Sequence, residues 1–100
     1  MNIGQMLKQA QKIQQQMKAV QEKLDDERFE ASAGGGAVTA TVDGKSRVVA
    51  VKIKPEALKG GDAELLEDLI LAAVHEAQGR AEENMKQVLG PLTGGLQLPF

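Results

Sequence analysis

The feature that most constrains this chain is a seam of apolar residues near its start. Ile3, Met6, Ala10, Ile13, Met17, Val20 and Leu24 follow one another at alternating spacings of three and four. That is a heptad seam held for three repeats, the pattern by which one helix grips another along its length. Asn2 is placed to cap the helix, with Gln5 three residues on as the return partner of a capping box. At about 1.5 Å per residue the stretch from Ile3 to Leu24 spans roughly 33 Å, too long for the rest of so small a chain to cover. Lys8, Lys12 and Lys18 stand among glutamines on the other side of the helix, and no acid appears before Glu22. A basic, polar-backed arm with a grip on its inner side is what the remaining residues must accommodate.

One hundred residues make a single domain, 1–100, with a modest core. Only Phe29 and Phe100 are aromatic, so that core is aliphatic and thin, and a partner is expected to help bury it. The chain has no cysteine, hence no disulfide frame and no thiolate metal site, which suits the cytoplasm. No basic-then-apolar leader opens it, and no apolar run approaches a membrane span, so a cytoplasmic, soluble protein without membrane association is expected.

The net charge of −2 is unevenly distributed. Residues 1–21 carry +3 and residues 22–30 carry −3; residues 31–54 return to +3, and residues 55–90 fall to −5. An acidic chain argues against nucleic acid as a whole. Screening over about 8 Å nevertheless lets each block act on its own.

After Leu24 the period changes from 3.5 to 2. Phe29, Ala31 and Ala33 alternate with Arg28, Glu30 and Ser32 as a first strand. Gly34-Gly35-Gly36 marks a turn whose backbone angles only glycine takes freely. Val38, Ala40 and Val42 alternate with Thr39 and Thr41 in a second strand, and Asp43-Gly44 is a hairpin signal. The third strand runs from Arg47 to Lys54, with Val49, Val51 and Ile53 on one face and Val48, Ala50, Lys52 and Lys54 on the other. The small, flat residues of this second face, and the two edges of a three-stranded sheet, both invite association. Pro55 ends the strand, and Lys59-Gly60-Gly61 is a loop. Asp62 caps a second helix, 62–89, whose inner face is Leu66, Leu69, Ile70, Ala73, Ala77, Ala81, Met85 and Val88. Gly90 is read as its C-terminal cap and Pro91 as its stop. The fold class is α+β: helix (1–24), antiparallel meander (28–54), helix (62–89), and a Gly/Pro/Leu-rich tail (91–100). In that tail Leu92, Leu96, Leu98 and Phe100 are candidates to pack on the body.

Several stretches together resemble one family. They are Met6 to Gln14, and Gly34-Gly35-Gly36 leading into Val38 to Gly44. Val51-Lys52-Ile53, Leu66 to Ile70, and Gly90 to Leu96 complete the set. In this order and spacing they make the chain similar to YbaB/EbfC-type nucleoid-associated proteins over essentially its whole length. The resemblance implies a bacterial homodimer of α-β-β-β-α protomers, with helices projecting like the arms of tweezers. It also implies duplex DNA binding with little sequence demand, a place at the nucleoid, and a role in nucleoid organisation and gene expression. It brings no catalytic residues, no cofactor and no small-molecule substrate. The tail departs from the family pattern by ending at Phe100 without further glycines.

Lys8, Lys12 and Lys18 occupy heptad positions f, c and b, away from the seam. Lys8 and Lys12 have no acid three or four residues away, whereas Lys18 is within reach of Glu22. Read from the residues alone this is a solvated lysine face; the resemblance turns it into a set of candidate phosphate contacts. Arg80 and Lys86 are weaker DNA-binding candidates, since Glu76 and Glu82 stand four residues before them. Without tyrosine or tryptophan the chain lacks a stacking platform for single strands, and no helix-turn-helix or zinc knuckle is present. What is left is charge and dimer geometry, which position a protein on phosphates without reading sequence.

Other apparent sites fail. Gly44-Lys45-Ser46 matches the end of a phosphate-binding loop, but Thr39 stands at the first glycine and the segment joins two strands. His75 is single, with no second histidine for a metal pair. No nucleophile–base pair supports an enzyme. The rival reading is a protein-interaction adaptor that uses the heptad helix and the acidic second helix, with incidental DNA affinity.

Overall fold

The computed structural model describes residues 2–93, in the order α1 (Ile3–Asp26), β1 (Arg28–Ala33), β2 (Val38–Asp43), β3 (Val48–Ile53), a 3-10 turn (Pro55–Leu58) and α2 (Ala63–Thr93). Helix α1 starts where its cap predicts, with the Gln5 amide donating to Asn2 Oδ1 at 2.7 Å. Helix α2 starts likewise, the Leu65 amide donating to Asp62 Oδ1 at 3.0 Å. Each cap satisfies one of the amide groups that a helix start leaves without a partner.

The three strands form an antiparallel sheet in the order β1-β2-β3. The turn between β1 and β2 needs its glycines, because Gly34, Gly35 and Gly36 all lie at positive φ (66°, 66° and 95°). Phe29, Ala31 and Ala33 stand opposite Val42, Ala40 and Val38, so one face of these strands is apolar in register. Helix α2 packs on that face through Ala73, Ala77 and Ala81, which with Val38, Ala40 and Val42 have no exposed surface. Alanine at successive i,i+4 positions brings the helix backbone close to the sheet, and Leu66, Leu69, Ile70 and Val74 seal the margin. The core is thin, as the composition predicts.

Three local readings are corrected or refined. First, Val42 stands opposite Val48 while Thr41 stands opposite Ala50, so Val49 is an extra residue, a β-bulge. The alternation assigned to β3 therefore breaks at Val48 and Val49 and holds only beyond them. Second, the hairpin that Asp43-Gly44 signals is present, and its loop is longer than those two residues. Asp43 and Arg47 close a three-residue loop, with the Asp43 amide donating to Arg47 O at 2.9 Å, and Ser46 takes the left-handed position at φ 68°. Third, α2 does not stop at Leu89. It continues through Gly90 and Pro91 to Thr93. Pro91 thus lies inside the helix, and Gly90 before it has no Cβ to crowd the proline ring, which eases one of the clashes at that junction. The packing expected of Leu92, Leu96, Leu98 and Phe100 lies outside the described residues and side chains.

The molecule measures 69 × 22 × 16 Å, because α1 leaves the sheet instead of folding back on it. Of its residues only Leu24 is buried, with Met17 and Val20 half-buried.

Candidate nucleic-acid interface

The arm is set by its last turn. The Gly44 amide donates to Leu24 O at 2.8 Å, where the hairpin meets the end of α1. A Cβ on Gly44 would lie 2.5 Å from that oxygen and 2.8 Å from Leu24 Cα. Gly44 is therefore required for close approach of two backbones, while the left-handed backbone in the loop falls to Ser46.

Around this contact sits a charged clasp. Asp25, at the end of α1, accepts from Arg47 Nη2 at 2.7 Å and pairs with Lys45 Nζ at 2.9 Å. Asp43 is buried, at 3% exposure. It accepts from the Lys45 amide at 2.9 Å, the Arg47 amide at 3.0 Å and Arg47 Nε at 2.7 Å. Burial alone raises the pKa of the Asp43 carboxyl, but the hydrogen bonds from Arg47 and Lys45 outweigh it and hold the group below its ordinary 3.8. Helix α2 joins the same end of the sheet. Gln78 Nε2 donates to Ser46 O at 3.1 Å, and Asn84 Nδ2 donates to Glu27 Oε2 at 2.6 Å.

From this base α1 extends with both of its sides open. Ile3, Met6 and Ile13 of the seam are 75%, 55% and 52% exposed. The seam does not grip this chain's own α2 over these residues. Lys8, Lys12 and Lys18 are exposed on the opposite side, and among the described residues none of them is in an ion pair. The Lys18–Glu22 pair that spacing permits is not formed. From Lys8 to Lys18 the stripe is about 15 Å long, a length of duplex that presents roughly nine phosphates.

The α2 candidates differ from each other. Arg80 is engaged within the body: Nη1 donates to Glu30 O at 2.6 Å, and Nη2 pairs with Glu76 at 3.0 Å. Lys86 is exposed and does not pair with Glu82; it lines a cavity of about 470 Å³ with Lys45, Ser46, Glu82 and Met85. The structure thus leaves Lys8, Lys12 and Lys18 exposed on the outer face of α1, and Arg80 and Lys86 on a separate helix. The clasp of Asp25, Asp43, Lys45 and Arg47 was not legible in the sequence, because its partners meet only through the tertiary fold. The nearest signal was Asp43-Gly44, read for its turn and not for its carboxylate.

His75 is exposed, and among the described residues no group of acidic, histidine or cysteine side chains is arranged to hold a metal ion. No helix among them is long and apolar enough to cross a membrane.

A sequence model of the YbaB/EbfC DNA-binding family matches residues 1–96. A nucleoid-associated protein of Alkaliphilus metalliredigens is 47% identical over 98 residues, covering 98% of this chain and 86% of the relative. One from Pelotomaculum thermopropionicum is also 47% identical, covering 98% and 93%. One from Clostridium novyi is 48% identical over 99 residues, covering 99% and 87%. In architecture the chain is similar to the crystal structure of an uncharacterized protein from Helicobacter pylori. That match has a TM-score of 0.83 at 22% identity, over 93% of this chain and 98% of the other.

Proposed function

Since the chain belongs to the YbaB/EbfC DNA-binding family, we propose that it binds duplex DNA with little sequence preference, through Lys8, Lys12 and Lys18 on the outer side of α1. The family is a DNA-binding one and not an enzyme family. The observation that carries the binding mode is the arm itself. Three exposed lysines, each without an acidic partner among the described residues, stand on a helix that projects from the body. Phosphate contacts from such a stripe position a protein without reading bases. Lys86 adds charge at the base of the arm. Arg80 ranks last, because its guanidinium already fastens α2 to β1.

The working unit is a homodimer. Strand β3 is an edge strand whose Val48, Val49 and Val51 are 46%, 47% and 41% exposed, and an apolar edge of that kind seeks a partner. A dimer doubles the three lysines to six and presents two arms to one duplex. Its place is the bacterial nucleoid, in keeping with relatives named as nucleoid-associated proteins, and its effect there, as the family resemblance implies, is on DNA conformation and gene expression.

Fluorescence anisotropy on a mixed-sequence duplex, titrated from about 50 to about 200 mM salt, tests this. Four to six phosphate contacts predict a slope of log affinity on log salt near −4 to −5. Tight binding that ignores salt contradicts the phosphate mode, and no binding at low salt contradicts DNA binding altogether and favours a protein partner for the seam instead.

A further inference from the structure

Helix α1 carries a second surface that phosphate binding does not use. We infer that its exposed seam pairs antiparallel with the α1 seam of a copy in a neighbouring dimer, so that dimers join arm to arm.

Three observations select a second copy as the occupant. The heptad flanks are uncharged: positions e and g bordering the open part of the seam are Leu7, Gln9, Gln14 and Gln16. A charged partner helix finds nothing there to pair with, whereas a second copy meets neutral glutamines and no repulsion. The lysines sit on the far side, so closing the seam neither covers them nor brings like charges face to face. Finally, the side chains are self-complementary in one direction. In antiparallel pairing centred on residue 8, Ile3 meets Ile13 and Met6 meets Ala10, large against small. Parallel pairing sets Ala10 on Ala10 and leaves a gap, which a close-packed interface does not tolerate.

Symmetry then determines the assembly, given the homodimer of the proposed function. The two-fold axis of antiparallel arms passes through residue 8, about 24 Å along α1 from Leu24 at the hairpin. The two-fold of a β3-edge dimer lies at the sheet. One pair of copies cannot satisfy both axes, so the two contacts propagate from copy to copy as an open chain. A seam of about three turns is small beside the roughly 1,200 Å² of a stable interface. The arm contact is therefore weak alone and strengthens where dimers are held close together, as on a shared duplex.

Analytical ultracentrifugation without DNA tests the inference independently of DNA binding. The natural chain is expected to gain mass beyond the dimer as its concentration rises. A Met6→Gln/Ile13→Gln chain, altered only at exposed positions and checked for folding by circular dichroism, is expected to stop at the dimer, its further association weakened about tenfold or more. Mixing a Met6→Cys chain with an Ala10→Cys chain under oxidation is expected to give the mixed disulfide in preference to either like-with-like product. A natural chain that stays dimeric at every concentration overturns the inference. So does a seam variant that falls to monomer, since the seam then closes the dimer itself, and so does a predominance of like-with-like disulfides, the signature of parallel arms.

Discussion

The arm and the body of this protein are built on opposite principles. In the body, α2 buries Ala73, Ala77 and Ala81 completely against Val38, Ala40 and Val42, and the residues that matter are small. In the arm, large apolar residues such as Ile3 and Ile13 are more than half exposed, and no described part of the chain covers them. Helices in proteins draw most of their stability from packing, and of the 24 residues of α1 only Leu24 is buried, so the arm depends on its Asn2 cap and on the clasp at its base. Stability thus resides in one region and binding surface in the other. The junction between them, at Leu24, Asp25, Gly44 and Arg47, decides whether the arm points in a defined direction.

The junction is the place to break this division. Gly44→Ala puts a Cβ into the Leu24 backbone, where neither side yields as a flexible side chain would. A loss of about 3 kcal/mol is expected, at the upper end of overpacking costs, read as a lowered urea midpoint. A variant as stable as the natural chain would show that the arm is not seated against the hairpin.

A smaller effect is expected from Asp43→Asn. It leaves the turn in place and removes the charge that Arg47 and Lys45 surround. The loss should be about 2 kcal/mol at neutral pH, as for other charge-assisted hydrogen bonds. The sign with pH follows from the folded carboxyl ionising more readily than the unfolded one. Its contribution is complete above the ordinary 3.8 and fades as pH falls through the lower folded value. Acid titration of stability should show this step in the natural chain and not in the variant.

The smallest effect belongs to the far end of the body. Gly35→Ala meets no atom within 4 Å, so its cost is the left-handed backbone alone, about 1 kcal/mol. DNA affinity should be unchanged, because this turn lies at the opposite end of the sheet from the arm.

Much of this was legible in the sequence. Alternation gave the strands, helical spacing gave the buried face of α2, and Asn2 and Asp62 marked both helix starts, because each of these is a local pattern with a local cause. What escaped was decided by contacts between distant residues. Gly44 looks like a turn glycine but is small for the sake of Leu24, and the bulge at Val49 shifts a register that alternation alone would keep. Pro91 reads as a stop, yet the helix runs on through it to Thr93. The lysine stripe was legible as charge. That its helix stands clear of the body was visible only as a seam too long for so small a chain to cover.

The most direct test of the division is to exchange Lys8, Lys12 and Lys18 together for glutamate and measure two quantities on the same preparation. These are anisotropy on a mixed-sequence duplex at low salt, and mass by sedimentation. If binding lives on the arm and stability in the body, DNA affinity falls by about a hundredfold or more, with dimer mass and urea midpoint unchanged. Affinity within about threefold of the natural chain, at a comparable salt slope, would place the DNA contact elsewhere and leave the arm as a surface for protein alone.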